Sequence, residues 1–161
     1  MEYNDTKFGQ AGKTLRRLAI GHTGAGLMDY FHITEDKQAL LKMSNLGFAY
    51  LGDAVYEVMV RSWLCLHGKL TSGSLHRAAL RYVAAPRQAA LTEKILPLLT
   101  EEEERIYKRG RNTNPHSTPK AATRQEYQIA TGQEALFGWL YLNGETDRLN
   151  ALFAAMMEGE E

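Results

Sequence analysis

The chain has 161 residues, 44% of them hydrophobic, and its 19 Lys and Arg balance its 19 Asp and Glu. This length fits one domain with a real core, and the apolar runs fall short of the ~20 residues that a membrane span needs. No apolar signal segment opens the chain, and a lone cysteine, Cys65, excludes an internal disulfide, so we expect a cytoplasmic protein with Cys65 as a buried thiol.

Residues 1–29 are glycine-rich and of mixed charge, with little periodicity, and we predict a flexible N-terminal extension. Capping residues, glycines and prolines then bound seven predicted helices, at about 34–43, 45–67, 75–83, 86–96, 100–108, 123–142 and 146–157. Thr100 with Glu103 and Thr123 with Glu126 form capping-box patterns, and residues 110–121 form a predicted loop. No alternating strand pattern occurs, so we expect an all-α fold of about seven helices.

Two of the predicted helices are apolar segments that contain acids. Leu46 to Val60 holds Asp53 and Glu57, four residues apart and so on one helix face, without any base. Residues 130–142 hold a single charge, Glu134. Each acid is set into the hydrophobic part of its helix, and a compact bundle could bring Asp53 and Glu134 together.

Neighbouring carboxylates repel each other unless a proton or a cation lies between them. A hard divalent ion such as magnesium, for which manganese can substitute, takes oxygen ligands and fits this need. The alternative is that the acids form ion pairs with Arg61, Arg124 or another base. Helical glycines lower stability, so Gly47, Gly52 and Gly138 are predicted to mark close helix contacts.

The charges are segregated, although their sum is zero. Residues 58–92 contain five bases and no acid, and residues 105–125 contain six bases and no acid. Separated signs indicate a polyanion-binding surface beside an acidic pocket, and solvated basic helix faces are the alternative. The bases are densest around Gly110, where we expect the helix to end and a flexible backbone to wrap a phosphate. The predicted contacts to phosphate and sugar are Lys108, Arg109, Arg111, Asn112 and Lys120.

Several motifs, in order, resemble those of a known enzyme family. AYLGDAVYE at 49–57 and EALFG at 134–138, followed by YL, resemble the two helix motifs of the ribonuclease III family. KRGRN at 108–112, TPK at 118–120 and TGQEA at 131–135 resemble its bacterial variant, mini-ribonuclease III, which has only the catalytic domain. The resemblance runs from about residue 29 to about residue 157.

The resemblance implies a ribonuclease III endonuclease domain over residues 30–158 that forms a homodimer. It implies magnesium-dependent cleavage of double-stranded RNA, and for the mini group maturation of the 5′ and 3′ ends of 23S ribosomal RNA precursors. Asp53 and Glu134 match the catalytic acids, so we expect them to hold the metal, directly or through water. The activated water then displaces the 3′ oxygen of the RNA. Glu57 is a further candidate, either catalytic or supporting.

Two positions depart from the longer ribonuclease III pattern. Ala49 stands where that pattern has a Glu, and Thr131 stands where it has an Asp. The mini group shares such changes, so they do not imply an inactive enzyme, but they leave open how many metal ions bind and through which ligands. They also favour the alternative function, a non-catalytic RNA-binding or ribosome-assembly factor that keeps the fold.

Overall fold

Every regular element is helical in the part of the chain that the computed structural model describes, which comprises residues 40, 42–67, 71–113 and 121–160. This part contains six α-helices and one 3-10 turn: α1 (Asn45–His67), α2 (Ser72–Val83), α3 (Ala85–Glu93), the 3-10 turn (Leu96–Leu98), α4 (Glu101–Arg111), α5 (Arg124–Leu142) and α6 (Thr146–Met157). The all-α prediction is confirmed. The extension predicted at 1–29 lies outside the described residues. Over the described residues, no helix is long and apolar enough to cross a membrane.

The predicted helix bounds hold for α1, α5 and α6 and shift for α2, α3 and α4. Thr100 and Thr123 both form the predicted capping boxes: each side chain accepts a hydrogen bond from the backbone N–H of Glu103 or Glu126, and each threonine backbone N–H donates to the side chain of that glutamate. Helix α2 begins three residues earlier than predicted, and α3 ends three residues earlier, at Glu93, before the 3-10 turn that contains Pro97.

Helix α5 is the centre of the bundle and packs against α1, α3, α4 and α6. Most of its residues are buried, which explains why its sequence is apolar on nearly every face. Aromatic and aliphatic side chains of α5 and α6 surround Tyr56 of α1, whose ring meets Phe137 and Phe153 edge-on. Only one face of α1 packs on this core, so Cys65 is exposed and the prediction of a buried thiol is wrong.

Helices α1 and α5 touch backbone to backbone at two glycines. A Cβ on Gly52 would lie 1.7 Å from the carbonyl oxygen of Glu134, and one on Gly138 would lie 2.1 Å from that of Phe48. No side chain fits at either position, so both glycines mark a close helix contact as predicted. The prediction was wrong for Gly47, whose nearest neighbours are side chains of the preceding turn.

Helix α4 continues to Arg111, three residues beyond the predicted end. Gly110 was expected in a loop, and that prediction is wrong: it is buried inside α4, where a Cβ would lie 2.5 Å from the Cβ of Ala135 in α5. Gly132 of α5 makes the matching contact with the ring of Tyr107. Close packing on α5 therefore explains the glycine, and the backbone there is not free to wrap a phosphate.

The start of α4 is tied to α6 by an ion pair. Glu103, buried by its capping role, accepts hydrogen bonds from Nε and Nη2 of Arg148 at 2.7 and 2.8 Å. Arg148 also donates to the carbonyl oxygen of Leu98 at 2.7 Å. These hydrogen bonds lower the pKa of Glu103 despite its burial, so the carboxylate is charged and fully engaged in the structure.

Candidate active site

The structure brings Asp53 and Glu134 together at the glycine contact of α1 and α5. Gly52, which directly precedes Asp53, lies against the backbone of Glu134. The negative charge of Asp53 acts on the Glu134 carboxyl, so the two acids are electrostatic neighbours. The expectation that folding pairs these two acids, about eighty residues apart, is met.

Both carboxyl groups lie where a negative charge is unfavourable. Burial, reinforced by the charge of Asp53, raises the pKa of Glu134 to about 7, against the lowering effect of a hydrogen bond from Gln88. Burial and the charge of Glu57 also raise the pKa of Asp53, although its side chain is more exposed. The pair therefore favours a proton or a cation between its members.

Among the described residues, no Lys, Arg or His forms an ion pair with Asp53 or Glu134 and so neutralises this pair. Arg61, one of the bases considered as a partner, binds Glu57 instead, with Nη2 2.6 Å from Oε1. Glu57 is thus close enough to raise the pKa of Asp53, but the Glu57 carboxylate already accepts hydrogen bonds from Arg61. Its catalytic or supporting role stays a prediction.

The donor set fits a divalent cation that keeps most of its ligands as water or phosphate. Ala49 is buried, and the hydroxyl of Thr131 donates to the carbonyl oxygen of Tyr127 at 2.9 Å, so neither position adds a carboxylate. Over the described residues, no group of three or more His, Cys, Asp and Glu side chains could hold a metal. Magnesium is commonly held by one or two carboxylates plus waters and substrate phosphates, which is what Asp53 and Glu134 can offer.

Two buried glutamines lie beside Glu134, and the sequence patterns did not predict either of them as a site residue. Gln88 of α3 and Gln133 of α5 are 1% and 0% exposed. The Nε2 atom of Gln88 lies 2.5 Å from Oε1 of Gln133 and 3.3 Å from Oε1 of Glu134. The available signal was weak: Gln133 is a polar residue next to an acid in an otherwise apolar helix.

A second site, an open groove of mixed charge, lies along the polar face of α4. Its lining residues are Asn45, Glu101, Glu104, Arg105, Lys108, Arg109, Asn112 and Thr113. It contains three of the predicted RNA contacts, whereas Arg111 is outside it and donates from Nε to Oδ1 of Asn112 at 3.4 Å. Lys120 lies outside the described residues.

The bases of this groove differ in how they are engaged. Lys108 pairs with Glu104 at 2.7 Å, and Arg105 pairs with Glu102 at 3.3 Å. Arg109 has no ion pair among the residues that the structure describes. Its guanidinium is therefore the cation of this groove that is most available to an external anion.

Comparison with known proteins gives consistent matches over this region. A family model, Ribonuclease III domain, matches residues 46–145. A protein of Symbiobacterium thermophilum called Mini-ribonuclease 3 is 47% identical over 115 residues, which cover 71% of this chain and 88% of the relative. A protein of the same name from Brevibacillus brevis is 42% identical over 131 residues, 77% of this chain and 98% of its own.

A solved structure supports the same fold. The crystal structure of a protein from Fusobacterium nucleatum superposes with a TM-score of 0.68 at 30% sequence identity. The match covers 76% of this chain and 98% of the other. This chain therefore shares its fold with a solved structure over 76% of its length.

Proposed function

Because the chain belongs to the ribonuclease III family, and within it to the mini-ribonuclease III group, it is an endoribonuclease, and we propose that it cleaves double-stranded RNA with magnesium. The observation that carries this proposal is the Asp53–Glu134 pair, two adjacent carboxylates without a protein cation among the described residues. Purified protein incubated with a long duplex RNA, with and without magnesium, tests it. Metal-dependent shortening of the duplex is expected, and intact RNA in magnesium would contradict the proposal.

We propose the following roles at this site. Asp53 and Glu134 would hold the divalent cation between α1 and α5, which keeps both carboxylates charged despite their raised pKa values. When bound, magnesium supplies an activated water and a positive charge that stabilises the phosphoryl oxygens. The close glycine contact fixes the spacing of the α1 and α5 backbones that carry the two carboxylates, which limits reorganisation during the reaction.

The pKa of Glu134 leads to a prediction about stability. Its pKa is about 7 in the folded protein against an ordinary 4.5, so ionising it disfavours folding. This effect is absent below the ordinary pKa and is complete once the pH has risen through the folded value. Glu134→Gln is therefore expected to stabilise the metal-free protein by about 3 kcal/mol at pH 8 and by less than about 1 kcal/mol at pH 5.

Thermal unfolding in a chelator at the two pH values measures this effect. Asp53→Asn is the comparison, because it removes a charge from the more exposed member of the pair and is expected to stabilise less. An equal shift of Tm at pH 5 and pH 8 in Glu134→Gln would contradict the assigned cause.

We propose that the α4 groove binds the RNA backbone, chiefly through Arg109. Arg109→Ala is expected to weaken duplex binding about tenfold and to lower the slope of log Kd against log salt by about one. Lys108→Ala is expected to weaken binding less, because Lys108 must first leave Glu104. Fluorescence anisotropy in a chelator over a salt series measures both effects.

Glu104→Gln is the matched control for the groove. It releases Lys108 and removes a negative charge, so it should tighten RNA binding. Unchanged binding and salt slope for all three variants would contradict the proposed RNA contacts. The roles of Arg111, Asn112 and Lys120 remain part of the same proposal and can be tested in the same series.

We propose that the protein forms a homodimer through α1. Four large apolar residues along α1 are exposed on the side away from the buried residues of this helix: Leu46, Tyr50, Val58 and Leu66, at 54–85% exposure. Glu57 and Arg61 flank this apolar row with opposite charges one turn apart, which an antiparallel second copy can meet with opposite charges of its own. Sedimentation equilibrium is expected to give a dimer, with one active site per protomer, and a monomer at micromolar concentration would contradict it.

The family resemblance further supports a role in the cytoplasm, in which the enzyme trims the 5′ and 3′ ends of the 23S ribosomal RNA precursor. A strain without the protein is then expected to accumulate precursor with unprocessed ends. Mature ends in that strain would instead indicate another duplex substrate. A non-catalytic ribosome-assembly factor, the alternative that Ala49 and Thr131 suggested, predicts RNA binding without cleavage under any divalent cation.

A further inference from the structure

Gln88 is a buried polar residue within the short helix α3. Its side chain is 1% exposed, and it lies in the middle of α3, whose buried face packs on α5. A glutamine in such a position is less favourable than an apolar side chain unless its amide is hydrogen-bonded. The amide of Gln88 has two acceptors, and one of them belongs to the candidate active site.

The geometry of this amide restrains one specific oxygen of Glu134. Nε2 of Gln88 is 2.5 Å from Oε1 of Gln133 and 3.3 Å from Oε1 of Glu134, and a primary amide has two hydrogens, one for each acceptor. Within the described residues, Oε2 of Glu134 has no hydrogen bond. One carboxylate oxygen is thus engaged by the protein, and the other is left for a ligand.

Gln133 supports this interpretation of how the Gln88 amide contacts Glu134. It is fully buried, and its Nε2 has no hydrogen-bond partner among the described residues. An unmet buried donor is unfavourable, so the NH2 group does not explain why Gln133 is buried here. Its Oε1 holds the amide of Gln88, which fixes the direction in which that amide faces Glu134.

We infer that Gln88 is a positioning residue whose amide binds Oε1 of Glu134 and so leaves Oε2 for the divalent cation shared with Asp53. The inference rests on the proposed function, because it assumes that these two carboxylates hold a metal. Residues that orient a metal ligand typically change metal affinity by about 10–100-fold when they are replaced. Gln88 acts through Glu134 and does not itself touch the cation.

Replacement of Gln88 by methionine, which has a similar volume and no amide, tests the inference. Gln88→Met is expected to raise the Kd for Mn²⁺ about tenfold, measured by electron paramagnetic resonance without RNA. Cleavage should need correspondingly more divalent cation, and its maximal rate at saturating metal should stay near that of the unchanged protein. A structural role alone would not separate the metal requirement from the maximal rate.

Thr92→Val is the matched control. Thr92 lies one turn further along α3, is 0% exposed, and donates from Oγ1 to the backbone carbonyl of Gln88 rather than to the site. The Kd of this variant for Mn²⁺ should stay within about twofold of the unchanged protein. The inference is overturned if Gln88→Met binds Mn²⁺ as the unchanged protein does, or if Thr92→Val weakens binding equally.

A second measurement does not depend on a folded variant. In the unchanged protein, titration with Mg²⁺ should shift the side-chain amide NMR signals of Gln88, and signals that stay in place would overturn the inference. The two proposals fail in different ways. If the unchanged protein neither binds Mn²⁺ nor cuts duplex RNA, the proposed function fails; if it does both and Gln88→Met is unaffected, only the role of Gln88 fails.

Discussion

Asp53→Asn is expected to abolish cleavage of duplex RNA in magnesium, with a rate loss of about a thousandfold or more, while RNA binding is retained. Asparagine keeps the size of the side chain but removes the charge that a divalent cation needs. The α4 groove, which is proposed to bind the RNA backbone, is unaltered. Cleavage rates at several magnesium concentrations, with anisotropy for binding, measure both parts of the expectation.

Glu57→Gln provides the comparison on the same helix, one turn away and with the same chemical change. Arg61 already binds the Glu57 carboxylate, so we expect a loss of about tenfold or less. Substantial cleavage by Asp53→Asn, or an equal loss in Glu57→Gln, would contradict the assignment of Asp53. Thermal unfolding of both variants serves as the control that each is folded.

Gly52→Ala is expected to destabilise the protein by about 3 kcal/mol or more, a large part of the stability of an ordinary domain. The added methyl group would lie 1.7 Å from the carbonyl oxygen of Glu134. A backbone atom cannot rotate away as a side chain can, so α1 and α5 must separate. Urea unfolding measures the loss, and the separation of Asp53 from Glu134 should weaken Mn²⁺ binding in any fraction that folds.

Gly73→Ala controls for the general effect of adding a methyl group to a helix. Gly73 lies in α2, and a Cβ there would meet nothing within 4 Å. Alanine is the better helix former, so we expect a gain of about 0.5 kcal/mol. A Gly52→Ala variant with an unchanged urea midpoint would show that the two helices are not in the contact described.

The long helices and the acid pair were predictable from local pattern. Helix α5 has a capping box at its start and a long apolar segment that contains Glu134, and α1 has an apolar segment that contains Asp53. An acid that interrupts such a segment must lie at the edge of the core. Since two segments share this feature, a compact bundle could bring their acids together, and the motif resemblance then selects Asp53 and Glu134 as the pair.

The remaining features depend on contacts between distant residues. Gly110 ended α4 in the prediction because glycine is a poor helix former, but packing against Ala135 outweighs that preference. In the sequence, Gln88 is an ordinary polar residue of a short helix, and its burial results from packing against α5, which the local pattern does not indicate. Arg111 and Arg109 are two residues apart in sequence, so a helix directs them to different sides, and only Arg109 lines the groove.

The glycine contacts on the two sides of α5 have a joint mechanical consequence. Gly138 joins this helix to α1, which carries Asp53, and Gly110 of α4, next to Arg109, lies against the α5 backbone at Gly132. Neither glycine places a flexible side chain between the backbones, so the spacing between the carboxylates and the groove is set by the main chain. An RNA phosphate bound by Arg109 would thus determine which phosphodiester reaches Asp53. The cleaved bond would lie at a fixed distance along the RNA from the phosphate that Arg109 binds.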